Sequence, residues 1–197
     1  MNSNDMVPAA LITMVRPDLE NVPDYPFPES YAVRWYQAGD ERHWNRIERL
    51  ADEQTKISPD LYRAQFGFDE QQLTRRQCFV VGPGGEPVAT ASAWFDANYQ
   101  GATWGKVHWV AIVQSNQGQG LANPLLSVVC RRLRLLGHER AYLKTFARRI
   151  PAINLYLKFG FLPEIASAEQ LAIWRAIEGK LKYPLHLPER FSASDEP

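Results

Sequence analysis

Residues 107–122, VHWVAIVQSNQGQGLA, decide how this chain is read. The apolar run Lys106 to Val113 has the composition of a strand, and it passes through a short polar segment into a glycine-spaced turn. Beyond that turn Leu121, Leu125, Val129 and Leu133 recur every four residues, as on one face of a helix. In the spacing Gln117-x-x-Gly120-x-Ala122, small residues let the main-chain N–H groups of Gly118, Gln119, Gly120, Leu121 and Ala122 crowd around one point. The first turn of the helix adds unpartnered donors and partial positive charge, so the stretch is built to hold a pyrophosphate-like anion. Pro124 would break a helix interior; the helix is therefore predicted to start near Gly120, with the proline in its first turn.

A second signal follows about thirty residues later. After a predicted strand, RAYLKTF (140–146), Pro151 opens a short helix on which Ala152, Leu155, Tyr156 and Phe159 share a face before Gly160 and Phe161. The two stretches resemble the acetyl-CoA-binding loop and the A-x-x-L-Y-x-x-x-G-F signature of the GNAT superfamily of N-acetyltransferases, in that order. The resemblance is strongest from Cys78 to Pro163 and weak at both ends, where acceptor walls usually lie.

That resemblance implies an α/β (α+β) fold with a mixed central sheet of six to seven strands flanked by helices. Its fourth and fifth main strands would splay apart to admit coenzyme A, whose pantetheine arm would bond the backbone of Ala111, Ile112 and Val113. It further implies Tyr156 as the acid that protonates the departing thiolate. His108 lies where the aromatic-amine acetyltransferases of the superfamily carry a histidine, and no carboxylate occurs between Gly105 and Val113, so His108 is the expected base or relay, with Asp96 in reserve. Where the superfamily often has an asparagine, seven residues before the tyrosine, this chain has Arg149 with Arg148 beside it; either arginine is placed to meet a cofactor phosphate, and Arg149 is read here as the contact. Trp35, Trp94 and Trp104 fall on or beside strands that border the acceptor side, which hints at an apolar or aromatic acceptor. A bulge freeing a backbone N–H near Val110 or Ala111 would complete an oxyanion site.

The expected activity is acyl transfer from acetyl-CoA, or another acyl-CoA, to a primary amine by direct attack in a ternary complex. A small-molecule amine leads and a protein amine stays open. The alternatives are an acyl-CoA-binding module without turnover, and O- or S-acyl transfer from the same cofactor site. Lysine plus arginine balance aspartate plus glutamate at 22 each, so no global field favours nucleic acid or an acidic membrane. The basic run Arg131, Arg132 and Arg134 reads as a solvated helix face. Two isolated cysteines suit packed thiols in a cytoplasmic protein, and four scattered histidines predict no metal site. The run AALITMV is too short to span a membrane. The expected assembly is a monomer or homodimer.

Around this centre, residues 1–30 carry five prolines and are predicted to form an extended arm with a strand at Leu11 to Val15; residues 31–197 form the expected acyltransferase domain. YAVRWYQ (31–37) alternates as a strand, and Asp40 is placed to cap a helix with Trp44, Ile47 and Leu50 on its buried face. Pro59 is expected at the first position of a second helix. CFVVG and PVATASAWF flank a Gly-Pro-Gly-Gly turn and predict a hairpin, followed by a loop at NYQGAT. Phe161 to Ile165 reads as a last short strand. Residues 167–182 read as a helix, where the superfamily usually closes with a strand.

Overall fold

Seven strands form one mixed sheet in the computed structural model, which describes residues 10–52 and 56–191. In chain order they are β1 (Leu11–Arg16), β2 (Ala32–Trp35), β3 (Gln77–Val81), β4 (Pro87–Tyr99), β5 (Ala102–Ile112), β6 (Ala141–Phe146) and β7 (Leu162–Pro163). Helices α1 (Glu41–Ala51), α2 (Leu61–Phe66) and α3 (Glu70–Arg76) lie between β2 and β3; α4 (Ala122–Leu135) joins β5 to β6, α5 (Ile150–Lys158) joins β6 to β7, and α6 (Ala168–Glu178) follows. The sheet order is β2-β3-β4-β5-β6-β1-β7, and β5 with β6 is the parallel pair.

Period-two alternation sorts the strand residues onto two faces. Cys78, Val80, Ala89, Ala91, Ala93 and Val107 join Leu125, Val129 and Leu133 of α4 in the main core. Small alanines on β4 let α4 approach the sheet closely, and each fully buried leucine or valine of the helix contributes roughly 1.5–3 kcal/mol. On the other face Phe79, Ala111 and Val113 meet Trp44 and Ile47 of α1 with Tyr62 and Phe66 of α2. These rings pack edge to face, Trp44 to Tyr62 at 5.3 Å and Trp44 to Phe66 at 5.7 Å, which favours their quadrupoles.

Two features of the sheet shape the site. The parallel ladder between β5 and β6 is matched only at Gly105 with Ala141 and Lys106 with Tyr142, so the two strands part beyond those residues. Along β5, three steps from His108 to Ala111 oppose two steps from Ser92 to Thr90 on β4, which is a β-bulge. Trp109 takes φ 49° there, and a left-handed conformation costs an aromatic residue about 1–2 kcal/mol. Packing supports it: the indole stands 5.0 Å from Trp44, and its Nε1 donates to Gln65 Oε1 at 3.0 Å.

Several sequence expectations change in detail. The strand of the N-terminal segment runs Leu11–Arg16 and lies inside the sheet, paired with β6 over six residues and with β7 over two. Pro8 and the rest of residues 1–9 lie outside the described residues, as do 53–55 and 192–197. NYQGAT is mostly strand: β4 runs to Tyr99, and Gln100 and Gly101, both at positive φ, make a two-residue hairpin turn whose twist matches the strands. Helix α2 starts at Leu61 rather than Pro59. Asp40 precedes α1 without a side-chain cap, because its carboxylate pairs with Arg34 at 2.5 and 2.8 Å instead. Leu50 is 47% exposed; the buried face of α1 follows Trp44, Ile47 and Glu48, the i, i+3, i+4 pattern. The last strand shortens to Leu162–Pro163 and the last helix to Ala168–Glu178.

Candidate active site

Where β5 and β6 part, the chain leaves a cavity of about 540 Å³. Four elements wall it: β5 through Val110, Ala111 and Ile112, the turn into α4, α5 through Pro151, Ala152, Leu155 and Tyr156, and α1 with its C-terminal cap through Glu48, Ala51 and Asp52. Thr145 of β6 closes the far side.

The glycine turn has the conformation its spacing requires. Gly118 and Gly120 sit at φ +77° and +78°, and a Cβ at either would meet nothing within 4 Å, so backbone conformation alone selects glycine there. Helix α4 starts at Ala122, with Pro124 in its first turn, and its first N–H groups have no intrahelical partner. The Gln117 side chain anchors the turn, donating to Ile112 O at 2.9 Å and Ala51 O at 3.3 Å. A glycine turn, a helix N-terminus and an unmatched strand edge in one cavity fit the pyrophosphate and pantetheine of coenzyme A.

The bulge leaves Trp109 and Val110 without a partner in the ladder with β4 or with β6. Tyr156, on α5, is buried at the cavity wall, and burial pushes its phenol up to about 12, with Arg149 opposing the rise. The helix that carries it is fixed from the other end of the chain. Arg16 of β1, itself buried, donates to the C-terminal carbonyl of α5 at Phe159 and to Asp18 O at 2.7 Å.

Of the residues expected at the site, Ala111, Ile112, Gln117, Gly118, Gly120, Leu121, Ala122, Arg149 and Tyr156 line this cavity. Others do not. Val113 is buried with its N–H on Val88 O at 2.9 Å, and the exposed Gln119 bonds the Tyr31 hydroxyl. His108 lies under the aromatic layer, 5.6 Å from the Phe66 ring, and burial with Lys106 nearby drops its imidazole to about 3. A histidine so held is neutral throughout the working range and a weak base. Trp94 packs on Phe66 at 5.3 Å; Trp104 is buried against Tyr99 and Arg140; Trp35 lies under the Arg132 guanidinium at 3.6 Å. Asp96 accepts from the Tyr142 hydroxyl at 2.8 Å, away from the cavity.

The structure adds acidic residues that the strand-centred reading missed. Glu48 is 6% exposed, and its Oε1 has no hydrogen-bond partner. Asp52, one turn on, accepts from Arg149 at 2.6 Å and stands 3.4 Å from Arg148. Burial raises the Glu48 carboxyl to about 8, with Arg149 pulling it down and Asp52 pushing it up. Glutamate on the buried stripe of α1 was the available signal in the sequence.

Comparison with known proteins places this geometry. Residues 44–161 match the family model described as the acetyltransferase (GNAT) family. No curated protein matches the chain. Among solved structures, a GCN5-related N-acetyltransferase from Sphaerobacter thermophilus superposes with TM-score 0.65 at 21% identity, over 78% of this chain and 48% of that one. The ribosomal-protein-S18-alanine N-acetyltransferase from Escherichia coli gives 0.54 at 20% identity, over 66% and 76%. The NatC complex bound to Gag peptide and CoA gives 0.56 at 18% identity, over 69% and 87%. At these identities the structures share the fold. The chain spans about half the length of the first structures it matches.

Proposed function

This chain belongs to the GNAT family of acetyltransferases, and from that premise we propose that it moves the acyl group of an acyl-CoA, acetyl-CoA foremost, onto a primary amine. The reading rests on one observation above all. A single cavity gathers the glycine turn, the unmatched bulge of β5 and Tyr156 of α5.

Acetyl-CoA supplies an activated acyl carbon and a thiolate leaving group. The turn from Gln117 to Ala122 and the N-terminus of α4 hold the pyrophosphate. The backbone of Ala111 and Ile112, unmatched on the β6 side, takes the pantetheine arm, displacing the Gln117 side chain from Ile112 O. Arg149 exchanges Asp52 for an anionic or carbonyl oxygen of the cofactor. At the bulge, a main-chain N–H at Val110 stabilises charge on the acyl oxygen as the amine adds. Tyr156 stays protonated across the working range and donates to the sulfur; its raised phenol makes that transfer more uphill, and the guanidinium of Arg149 offsets part of the cost.

A small amine and a protein amine both remain within this reading, as two of the matched structures act on or bind polypeptides. The test is release of free CoA from acetyl-CoA over a panel of primary amines and N-terminal peptides, with calorimetric titration of acetyl-CoA alongside. Amine-dependent CoA release supports the transferase. Tight acetyl-CoA binding without release for any amine refutes it and leaves a binding module.

A further inference from the structure

The acyl-transfer cavity contains a carboxylate that neither the fold nor the cofactor loop requires. Glu48 occupies the buried stripe of α1, between Trp44 and Ile47 on one side and Ala51 on the other, where an apolar residue would pack with no loss. It is more than nine-tenths buried, lines the same cavity as Tyr156, and keeps Oε1 without a hydrogen-bond partner. A buried polar atom without a partner destabilises a fold, so its presence points to a ligand that completes it.

We propose that Glu48 is the catalytic base that takes the proton of the acceptor amine, an assignment that rests on the acyltransferase reading above. The charged and titratable groups facing it are Asp52 at the C-cap of its own helix, Arg148 and Arg149 from the segment before α5, and Tyr156 on α5; β5 contributes only apolar side chains and backbone. Two of these set its strength. Burial and Asp52 raise the carboxyl to about 8, and Arg149 keeps the ionised form accessible. Proton transfer from an alkylammonium of pKa ~10.4 is then uphill by roughly 2.4 units, against about 6 for an ordinary glutamate near 4.3. The imidazole of His108 has neither the position nor the basicity for this step.

The proton balance closes with the residues present. The ammonium gives its first proton to Glu48, and the freed lone pair forms the C–N bond at the thioester carbon. The C–S bond breaks with its electron pair on sulfur. Sulfur takes the proton of Tyr156, the second proton leaving nitrogen restores the phenol, and Glu48 releases its proton to solvent. An acceptor served this way is a basic aliphatic amine, which arrives charged and profits from a carboxylate. An arylamine, already neutral, gains little.

The experiment compares wild type, Glu48→Gln and Glu48→Asp with acetyl-CoA and two probes, tryptamine as an alkylamine and aniline as an arylamine, together with the best acceptor of the amine panel. Turnover over KM for the alkylamine should rise with pH through a group near 8 in wild type. Glu48→Gln should lose that limb and about 10²-fold in rate, with acetyl-CoA affinity unchanged within threefold and a much smaller loss for aniline. Glu48→Asp, which keeps a carboxylate at a shorter reach, should retain the limb at a reduced rate. Equal alkylamine rates and pH profiles in wild type and Glu48→Gln would overturn the assignment while leaving the transferase intact. No turnover by wild type with any amine, with acetyl-CoA bound, would overturn both.

Discussion

Replacing Glu48 by glutamine should stabilise the unliganded protein, by an amount that grows with pH. The carboxyl moves from 4.5 in the unfolded chain to about 8 in the fold. A group raised in this way favours the fold fully below its unfolded pKa and loses that contribution as pH rises through its folded pKa. The full cost of ionising it is about 3.5 units, or about 5 kcal/mol, of which about 3 kcal/mol is already present at pH 7. Glutamine has the same shape and never ionises. Its own unsatisfied amide adds an offset that does not vary with pH, so the slope is the diagnostic quantity and the baseline is not. Urea unfolding of both proteins without acyl-CoA, at constant ionic strength, should show the variant gaining up to about 1.4 kcal/mol per pH unit between the two pKa values, and about 3.5 kcal/mol in all between pH 5 and pH 8. Groups common to both proteins cancel in the difference. A stability difference flat to within about 0.5 kcal/mol over that range would show that Glu48 is hydrated or paired in solution, and would remove the physical ground for its strength as a base.

Gly120→Val should cost about 1–2 kcal/mol of stability, because φ +78° is strained for a β-branched residue although the space is open, and should abolish measurable acetyl-CoA binding in a protein still folded by circular dichroism. Unchanged affinity by calorimetry would move the cofactor elsewhere. Tyr156→Phe should lower the chemical step 10- to 10³-fold with little change in acetyl-CoA affinity, read by pre-steady-state CoA release; a full rate would return Tyr156 to a packing role. Arg149→Ala should weaken acetyl-CoA binding about tenfold and flatten its salt dependence, and an unchanged dissociation constant would exclude the contact. His108→Gln should leave the shape of the pH profile between 5 and 9 intact, since the imidazole already titrates near 3; loss of a limb in that window would restore it as a base.

The proposed cofactor half of the candidate site was legible because it is made of backbone. Gly118, Gly120 and the start of α4 announce themselves through spacing and φ, and the Leu155–Tyr156 pair through helical period. The proposed proton-transfer half was not, for two physical reasons. His108 sits on the right strand, but the bulge at Trp109 shifts the parity of β5 beyond it, so position along the strand does not reveal which side chains meet the cavity. Glu48 comes from a helix far away in sequence, and a stripe read every three residues through Leu50 passes it by, whereas the i, i+3, i+4 pattern includes it. The tryptophans stand apart from the cavity lining for a different reason. Trp94 and Trp104 are near the sheet as expected, but ring-to-ring packing with Phe66 and Tyr99 absorbs them into the layers.

The strand Leu11–Arg16 makes the gap between β5 and β6 depend on a segment that can be supplied separately. It completes the free edge of β6, brings Ile12 and Met14 into the core, and sends Arg16 to lock the helix of Tyr156, while the proline-bearing stretch after it rests on α4 through Pro23 O and Tyr25 N at Ser127. A chain starting near residue 31 would present β6 as an open edge, ready to accept a strand by β-augmentation. A synthetic peptide of residues 10–30 would then act as an all-or-none complement, restoring the sheet and the cavity beside β5 together. The intact chain has a corresponding hazard. At high concentration two copies could exchange their first strands across that proline-bearing connection, giving an entwined dimer with two complete pockets and no new interface chemistry.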